Sequence, residues 1–444
     1  MSKITIKDVQ ELCNGIILNG DGNIEIKNVK IDTRKINKGD IFVAIENGNN
    51  YIETAMEKGV SACIVEKRPS QEILKKHPEI TVVMVEDSIK TLQKLAQYKR
   101  EQYNIPVIAI TGSVGKTSTK DIVAKVVEQE YNVLKTEGNY NNHIGLPLTI
   151  LRLEDHTALV VEMGMNHLGE IEVLTKIAKP TIAVITNVGT SHIGILGSRK
   201  NILKAKLEIL EGLQENGTFI INNDNDMLHT CNKKAMTYGI ENKSDIQAYD
   251  VRIAEDSSTY KTEGTQINVP ISGTHFVYNS LCAIAVGKAL GISMDKIKKG
   301  IEQFELTKKR MELEKIHEIN VINDAYNASL ESMKYALEYL KNVSGSRKIA
   351  VLGDMLELGE FSEELHKKVG EEVEKQGIEV LITVGEQAKN IASVVASTKE
   401  VYSYNTNEEA VNKLQEIKKE GDVILLKASN GMKFTEILDK LREG

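Results

Sequence analysis

The residues best suited to chemistry lie in a glycine-containing loop, Thr111-Gly-Ser-Val-Gly-Lys-Thr-Ser118, between a run of β-type residues and a helical pattern. Its glycines let backbone N–H groups turn inward around a phosphate, and the N-terminus of the following helix adds positive potential. Lys116 can then reach terminal phosphates while the Thr117 hydroxyl ligates Mg²⁺. Ile110 replaces the first glycine of the full GxxxxGK(S/T) pattern. The alternative, a plain glycine turn with a solvated lysine, is disfavoured by the strand–loop–helix context.

Two further polar residues follow predicted strands. Glu162 comes after the run 158–161, and His192 lies in the loop after the run 182–186. Ligands of open parallel sheets bind beyond the carboxyl ends of the strands, so both side chains can reach the same crevice as the phosphate loop. A carboxylate and a neutral imidazole suit a metal ion beside phosphate. A strand-end cap and an ordinary loop histidine are an equally good interpretation of the sequence alone.

Lys206 has an unusual position in the helical pattern of residues 199–213. At about 100° per residue, it falls on the same side as Leu203, Leu207 and Leu210, while Lys204 points away. An ammonium there must find a partner or lose its charge, and a neutral amine can react with CO₂ to give a carbamate, which acts as a carboxylate ligand. The alternative is a lysine that extends along the helix to water.

Composition limits the class of protein. A chain of 444 residues predicts two to four domains, and 56 basic against 63 acidic residues leave a net charge of −7. This charge disfavours electrostatic binding of nucleic acid or an anionic membrane. Four dispersed cysteines indicate neither a zinc site nor a disulfide framework. Without a signal peptide or an apolar run long enough for a membrane span, the sequence predicts a cytoplasmic protein.

The order of predicted elements divides the chain into three α/β units. We place the boundaries so that the units are residues 1–103, 104–308 and 309–444. In the second unit, strands alternate with helices, which implies a mostly parallel sheet. In the third, a basic turn at 307–310 precedes a β-like run at 314–323 and a Rossmann-type alternation. Other predicted elements used below are a strand at 24–29 and helices at 88–103, 199–213 and 278–290.

Seven motifs, taken together, resemble those of the ATP-dependent Mur ligases of peptidoglycan synthesis. They are TGSVGKTS (111–118), TEGNYNNHIGLPLT (136–149), VVEMGMNHLGEI (160–171), ITNVGTSHIG (185–194), AKLEILEGL (205–213), NDAYNAS (323–329) and LGDMLELG (352–359). The last two are similar to the MurF type, the ligases that add D-Ala-D-Ala to UDP-MurNAc-tripeptide. The resemblance implies a three-domain α/β fold with a central P-loop parallel-sheet domain and a C-terminal Rossmann-like domain. It also implies ATP and Mg²⁺ as cofactors.

The resemblance carries expected roles to particular positions. Lys116, Glu162, His192 and Lys206 are the expected catalytic residues, and Thr117, Glu162, His192 and a carbamylated Lys206 the expected Mg²⁺ site. The nucleotide is expected at Gly112, Ser113, Val114, Gly115, Lys116, Thr117, Ser118, Asn279, Arg310 and Asp324. Substrate contacts are expected at Asp32, Thr33 and Arg34 for the UDP moiety, at Asn139 and Asn142, and at Tyr326, Asn327 and Ser329 for the dipeptide.

The implied reaction is amide-bond formation through an acyl phosphate, in a monomeric enzyme whose third domain closes over the cleft. The sequence departs from the family pattern in a shortened loop at 46–51, at Phe276, at Ser329-Leu330, and at Ala428 and Asn430. Because of these departures, an alternative is a Mur-ligase-like amide ligase that acts on a different nucleotide-linked or amino-acid substrate. A P-loop kinase or ATPase, a nucleotide-gated scaffold and a folylpolyglutamate synthase are further alternatives. The predicted N-terminal domain speaks against the last.

Overall fold

The computed structural model describes residues 3–306 and 310–443. Three larger β-sheets, each packed with helices, make up most of it, and we number them in chain order. The predicted boundary at 308/309 and the residues 307–309 of the basic turn lie outside the described residues. The first sheet has five strands: β1 (Ile16–Asn19), β2 (Val29–Lys30), β3 (Ile41–Val43), β4 (Ala62–Val65) and β5 (Thr81–Met84), in the order β1-β5-β4-β3-β2. Its helices are α1 (Ile6–Cys13), α2 (Ile52–Glu57), α3 (Gln71–Lys76) and α4 (Ser88–Glu101).

The second sheet is entirely parallel and carries the phosphate loop. Its strands are β6 (Val107–Thr111), β7 (Val133–Lys135), β8 (Ala158–Glu162), β9 (Ile182–Ile185), β10 (Thr218–Asn222), β11 (Met236–Gly239) and β12 (Ile246–Gln247), in the order β12-β11-β10-β9-β6-β8-β7. The helices are α5 (Lys116–Val127), α6 (Gly145–Leu151), α7 (Glu170–Ala178), α8 (Ile193–Leu196), α9 (Arg199–Leu207) and α10 (Asp226–His229). The central strands β6, β8 and β9 are buried throughout, as expected where helices cover both faces.

A small antiparallel sheet and two helices complete the central part of the chain. The sheet contains β13 (Tyr249–Ile253), β14 (Ser258–Thr262) and β15 (Thr265–Val269), and the helices are α11 (Thr274–Ala289) and α12 (Met294–Glu302). Helix α11 has buried residues nearly throughout and packs against α5. It therefore supports the helix that begins at the phosphate loop.

The third sheet has the order β16-β17-β21-β18-β19-β20. Its strands are β16 (Glu312–Ile316), β17 (Ile319–Asn323), β18 (Arg347–Gly353), β19 (Val380–Val384), β20 (Glu400–Tyr404) and β21 (Asp422–Lys427), and only the β16–β17 pair is antiparallel. The helices are α13 (Leu330–Asn342), α14 (Ser362–Gln376), α15 (Lys389–Ala392), α16 (Asn407–Ile417) and α17 (Thr435–Glu443). The α/β class and the parallel sheets agree with the expectation from the sequence.

Several predicted elements were wrong in their extent. The run 24–29 is not a strand, because Asn28 takes a left-handed conformation (φ 47°) and only Val29–Lys30 pairs as β2. The run 314–323 is a hairpin whose turn includes His317 (φ 52°). The predicted helix 278–290 begins earlier, at Thr274, and the predicted helix 199–213 ends at Leu207 and continues as a 3-10 helix.

Helix α4 fixes the first sheet to the second. Arg100, near its end, is 3% exposed, and its guanidinium donates to the carbonyls of Ala178 at 2.8 Å and Lys179 at 3.3 Å. The last carbonyls of a helix lack partners within the helix, so Arg100 caps α7. In addition, the Tyr103 hydroxyl donates to the Leu153 carbonyl at 2.8 Å. No helix among the described residues is long and apolar enough to cross a bilayer.

Candidate active site

The phosphate loop joins β6 to α5 through two glycines with different physical roles. A Cβ on Gly112 would lie 1.9 Å from the Thr186 Oγ1, so no larger residue fits there. Gly115 has φ +79°, a conformation that glycine adopts without strain. Lys116 Nζ donates to the Gly112 carbonyl at 2.9 Å and folds its ammonium over the loop. Burial lowers the pKa of Lys116, with Glu162 acting in the opposite direction.

A second loop, residues 187–194, supports the phosphate loop; we call it the histidine loop. Asn187 Oδ1 accepts from the Val114 N–H at 3.0 Å, and its Nδ2 donates to the Val114 carbonyl at 2.9 Å. The Gly189 N–H donates to Ser113 Oγ at 2.9 Å. Strands β6 and β9 are neighbours in the sheet, so the loops at their carboxyl ends lie side by side.

Glu162 ends β8 beside the phosphate loop and is 2% exposed. Its carboxylate accepts from the Thr117 hydroxyl at 2.8 Å and from Asn141 Nδ2 at 2.7 Å. The Glu162 N–H donates to Thr136 Oγ1 at 3.0 Å, which holds the strand end in place. Two of the predicted metal residues therefore touch each other.

His192 lines the same cleft from the histidine loop, with φ 63°. Its Nδ1 lies 2.6 Å from Glu357 Oε2, across a sequence separation of 165 residues. Burial lowers the pKa of His192, the Glu357 charge opposes this, and the Lys116 and Lys206 charges add to it. The imidazole is thus held by a carboxylate from the third unit, in the loop after β18.

Lys206 lies on the inner face of α9 and is 2% exposed. The prediction that this lysine faces the apolar side is confirmed, and the interpretation that it extends to water is wrong. Its Nζ has no hydrogen bond or ion pair with the described residues. Burial holds the pKa of Lys206 well below its usual value, and the Lys116 charge lowers it further. A neutral amine is the form that reacts with CO₂.

The donor groups fit a Mg²⁺ ion that also binds phosphate. The described residues contain no group of three His, Cys, Asp or Glu side chains arranged to hold a metal alone. Thr117, Glu162 and His192 supply a hydroxyl, a carboxylate and an imidazole at one cleft. Mg²⁺ prefers oxygen ligands and usually completes its shell with water and substrate phosphate, and a carbamate on Lys206 would add further oxygens.

Residues of the third unit form the opposite wall of this cleft, whose volume is about 410 Å³. The Arg310 guanidinium stacks on the Tyr326 ring at 4.1 Å. Asp324 forms an ion pair with the buried Lys427, whose Nζ also donates to the Asn327 carbonyl at 3.0 Å. Predicted residues that line the cleft from this side are Arg310, Asp324, Tyr326, Asn327 and Ser329.

Asn279 lies behind the phosphate loop, where a smaller cavity of about 30 Å³ begins. Its Oδ1 accepts from the Thr119 hydroxyl at 3.0 Å, and its buried Nδ2 has no partner among the described residues. His275 Nδ1 is likewise buried without a partner, and the His275 ring lies 4.8 Å from the Tyr335 ring. Burial lowers the pKa of His275 to about 3. The aromatic walls and the unpaired polar atoms suit a nucleobase.

Four predicted substrate residues do not line the cleft. Asp32, Thr33 and Arg34 lie in the first unit, where Arg34 is exposed and its side chain lowers the pKa of Asp32 to about 2. Asn139 is exposed outside the cleft, whereas Asn142 lines it.

Sequence reasoning missed several residues that line the cavities or contact the residues lining them. They include Asn141, Glu357, His275, Tyr335 and Lys427. Asn141 stands inside a motif that was already recognised, so its neighbourhood was a usable signal. Glu357 also lies in a recognised motif, LGDMLELG. Its contact with His192, and the contacts of the other three residues, join positions far apart in sequence, which no local pattern reveals.

Comparison with known proteins agrees with this geometry. The Mur ligase middle domain model matches residues 110–287, and the Mur ligase glutamate ligase domain model matches residues 309–430. The chain is 38% identical to the UDP-N-acetylmuramoyl-tripeptide–D-alanyl-D-alanine ligase of Bacillus subtilis (strain 168), covering 100% of this chain and 99% of the relative. The corresponding ligase of Escherichia coli (strain K12) is 31% identical at the same coverages.

Solved structures give the same result. MurF from Acinetobacter baumannii matches with a TM-score of 0.90 and 29% identity over 100% of both chains. MurF ligase from Thermotoga maritima in complex with ADP matches with a TM-score of 0.82 and 28% identity over 94% of this chain and 97% of that one.

Proposed function

Because this chain belongs to the Mur ligase family, and within it to the MurF group, we propose that it joins D-alanyl-D-alanine to UDP-N-acetylmuramoyl-tripeptide with the cleavage of ATP. The observation that carries the proposal is the cleft itself. Its one wall holds the phosphate loop with Lys116 and Glu162, and its other wall holds Tyr326 and Asn327 of the dipeptide motif. A phosphorylated carboxylate and an incoming amine can meet between these walls.

The proposed reaction has two steps. The carboxylate at the end of the tripeptide attacks the γ-phosphorus of ATP, which forms an acyl phosphate and releases ADP. The amine of the dipeptide then attacks the acyl carbon, phosphate leaves, and the nitrogen loses a proton as the amide forms. A carboxylate is a poor electrophile until one oxygen becomes a good leaving group, so the first step is what makes the second possible.

The chain supplies positioning and charge for these steps. Lys116 would bind the γ-phosphate, and Arg310 and Asp324 would bind the phosphates and ribose from the opposite wall. Thr117, Glu162, His192 and a carbamylated Lys206 would hold Mg²⁺, which offsets negative charge as phosphate approaches carboxylate. Asn279 would bind the adenine. The phosphate-loop residues that would surround the nucleotide are Gly112, Ser113, Val114, Gly115, Lys116, Thr117 and Ser118.

We propose that each of the three units binds a different substrate. We assign residues 1–103 to a UDP-binding domain with Asp32, Thr33 and Arg34, residues 104–308 to an ATP-binding domain, and residues 309–444 to a dipeptide-binding domain. All four cysteines are free thiols, in keeping with a reducing compartment, and we include a cytoplasmic location in the proposal. The monomeric state stays a prediction.

One alternative is a ligase of the same mechanism with a different nucleotide-linked substrate. It is favoured by the short segment after β3, which the structure shows as a 3-10 helix, Glu46–Tyr51. Asn49 Oδ1 accepts from the N–H groups of Glu66 and Lys67, both at 3.2 Å, so the segment is closed against the first unit.

The decisive experiment measures phosphate release from ATP by the purified protein with Mg²⁺, UDP-MurNAc-tripeptide and D-Ala-D-Ala. Each component is omitted in turn, and the product mass is determined. Release that needs both organic substrates, with a product heavier by the dipeptide minus water, supports the proposal. Release without either substrate indicates an ATPase, and a requirement for another amine or nucleotide indicates the alternative ligase.

A further inference from the structure

Two carboxylates of the third unit hold the histidine loop. Glu357 Oε2 lies 2.6 Å from His192 Nδ1, and Glu331 Oε2 accepts from the Thr190 hydroxyl at 3.1 Å. Glu357 stands in the LGDMLELG segment after β18, and Glu331 in the first turn of α13. The loop therefore receives two side chains that are distant from it in sequence.

Backbone contacts show that this docking is close. The Gly194 N–H donates to the Glu357 carbonyl at 3.0 Å. A Cβ on Gly194 would lie 2.4 Å from the Gly359 nitrogen, and one on Gly189 would lie 2.5 Å from the Glu331 carboxyl carbon. Gly194 thus permits a close approach of two backbones that any side chain would prevent, while a side chain at Gly189 would displace the Glu331 carboxylate. Glu357 itself has φ 64°, a left-handed conformation that turns this segment against the loop.

The other side of the histidine loop contacts the phosphate loop. Its Asn187 and Gly189 bind Val114 and Ser113 respectively, and the Ser191 hydroxyl donates to the Ser113 carbonyl at 3.3 Å. The loop is thus a layer between the phosphate loop and the third unit. Any movement of the third unit away from the second must break the Glu357 and Glu331 contacts.

We propose that Glu357 is a positioning residue that orients the His192 imidazole only while the third unit is docked. The inference rests on the proposed function and extends it. A carboxylate that accepts a hydrogen bond from Nδ1–H leaves Nε2 as the nitrogen with a free lone pair, and it restricts rotation of the ring. The site at the phosphate loop is then complete only in the closed molecule.

Coupling of this kind must act in both directions. If docking orders His192, then a nucleotide and metal bound at the phosphate loop must favour docking by the same factor. Glu331 strengthens the effect because it fixes the loop two residues before His192. If the third unit moved away early, the histidine loop would lose its contacts with Glu357 and Glu331 before the acyl phosphate had reacted. Bound ligand, by favouring docking, would therefore also help to keep water out of the cleft.

The test compares Glu357→Ala and Glu357→Gln with the matched control Glu360→Ala. Glu360 is an exposed acid on the same segment and makes no hydrogen bond or ion pair with the described residues. Hydrogen–deuterium exchange of residues 187–194 is measured first, in the ligand-free protein. The Mg²⁺ concentration that half-saturates nucleotide binding is measured next, by calorimetry with a non-hydrolysable ATP analogue.

We expect Glu357→Ala to speed amide exchange in the histidine loop and to raise the half-saturating Mg²⁺ concentration about tenfold, since hydrogen bonds to charged groups contribute roughly this factor. Glu357→Gln should show smaller changes in the amide exchange and in the half-saturating Mg²⁺ concentration, and Glu360→Ala should match the wild type in both measurements. Unchanged loop exchange and Mg²⁺ dependence in Glu357→Ala would overturn the inference. The exchange measurement needs no catalysis, so failure of the proposed substrate assignment is recognised separately, by product analysis of the wild type.

Discussion

At the scale of single residues, the surroundings of Lys206 disfavour the positive charge that a lysine ordinarily carries. It is buried without a partner among the described residues and lies near Lys116 and His192, which line the cleft. An uncompensated buried ammonium is costly, so the amine is expected to be neutral or modified. This follows from packing alone and agrees with the carbamate expected for the family.

Lys206→Ala should abolish most activity, with partial recovery when a short carboxylic acid such as acetate is added. The acid would occupy the volume left by the side chain and restore the carboxylate oxygens. Activity of the variant with and without acetate is the measurement, and Lys204→Ala, on the exposed face of the same helix, is the control. A variant that stays fully active would exclude the carbamate role.

Lys116→Ala should lower turnover by at least about a hundredfold, because one preorganised cation at a phosphoryl-transfer site has this order of effect. Nucleotide binding should weaken as well. Lys125→Ala, on the same helix but at its last turn, is the comparison. The measurement is kcat together with ATP-analogue affinity, and near wild-type values of both would contradict the phosphate-loop role.

At the scale of elements, the phosphate loop depends on the close contact between β6 and β9. Gly112→Ala would bring a methyl group into Thr186 Oγ1 and force the loop away from the sheet. We expect a loss of roughly 1–3 kcal/mol of stability, typical of overpacking, together with weaker nucleotide binding. Gly48→Ala, where a Cβ would make an ordinary 3.4 Å contact, should change neither. Thermal unfolding and calorimetric titration test this; equal behaviour of the two variants would refute it.

The elements also show what local sequence can and cannot predict. Strand β6, the loop and α5 were predicted because buried β-type residues, glycines and a helical period follow one another directly. The antiparallel strands β13–β15 were missed, because short strands with mixed polar and apolar residues lack a distinctive pattern. The contacts of Glu357 and Tyr335 with the site depend on how units dock, which no single segment encodes.

At the scale of the whole molecule, stability should fall in mild acid. His366 is fully buried, its Nε2 accepts from the Met355 N–H at 3.0 Å, and its Nδ1 donates to the Ser362 carbonyl at 2.7 Å. Burial lowers the pKa of His366 below the usual 6.5. As the pH falls below 6.5, His366 therefore becomes protonated in the unfolded chain but stays neutral in the folded protein. The free energy of unfolding decreases with falling pH until the pH reaches the folded-state pKa.

One such group changes the free energy of unfolding by at most about 1.4 kcal/mol per pH unit. The melting temperature of the wild type should fall between pH 7.5 and pH 5, and His366→Asn should show a smaller fall from a lower starting value, because Met355 loses its acceptor. The exposed His317→Asn is the control and should retain the wild-type slope. Identical slopes in all three proteins would assign the acid sensitivity to other groups.

The buried guanidinium of Arg100, locked onto the end of α7, has a consequence for substrate length. It is a buried contact between the first two units, so any relative movement of these units must break it. Under the proposed function, a substrate whose nucleotide end binds the first unit would then have to span a set distance to the phosphate loop. A peptide one residue too short would leave its carboxylate short of that loop, so selection by length would come before any recognition of the last side chain.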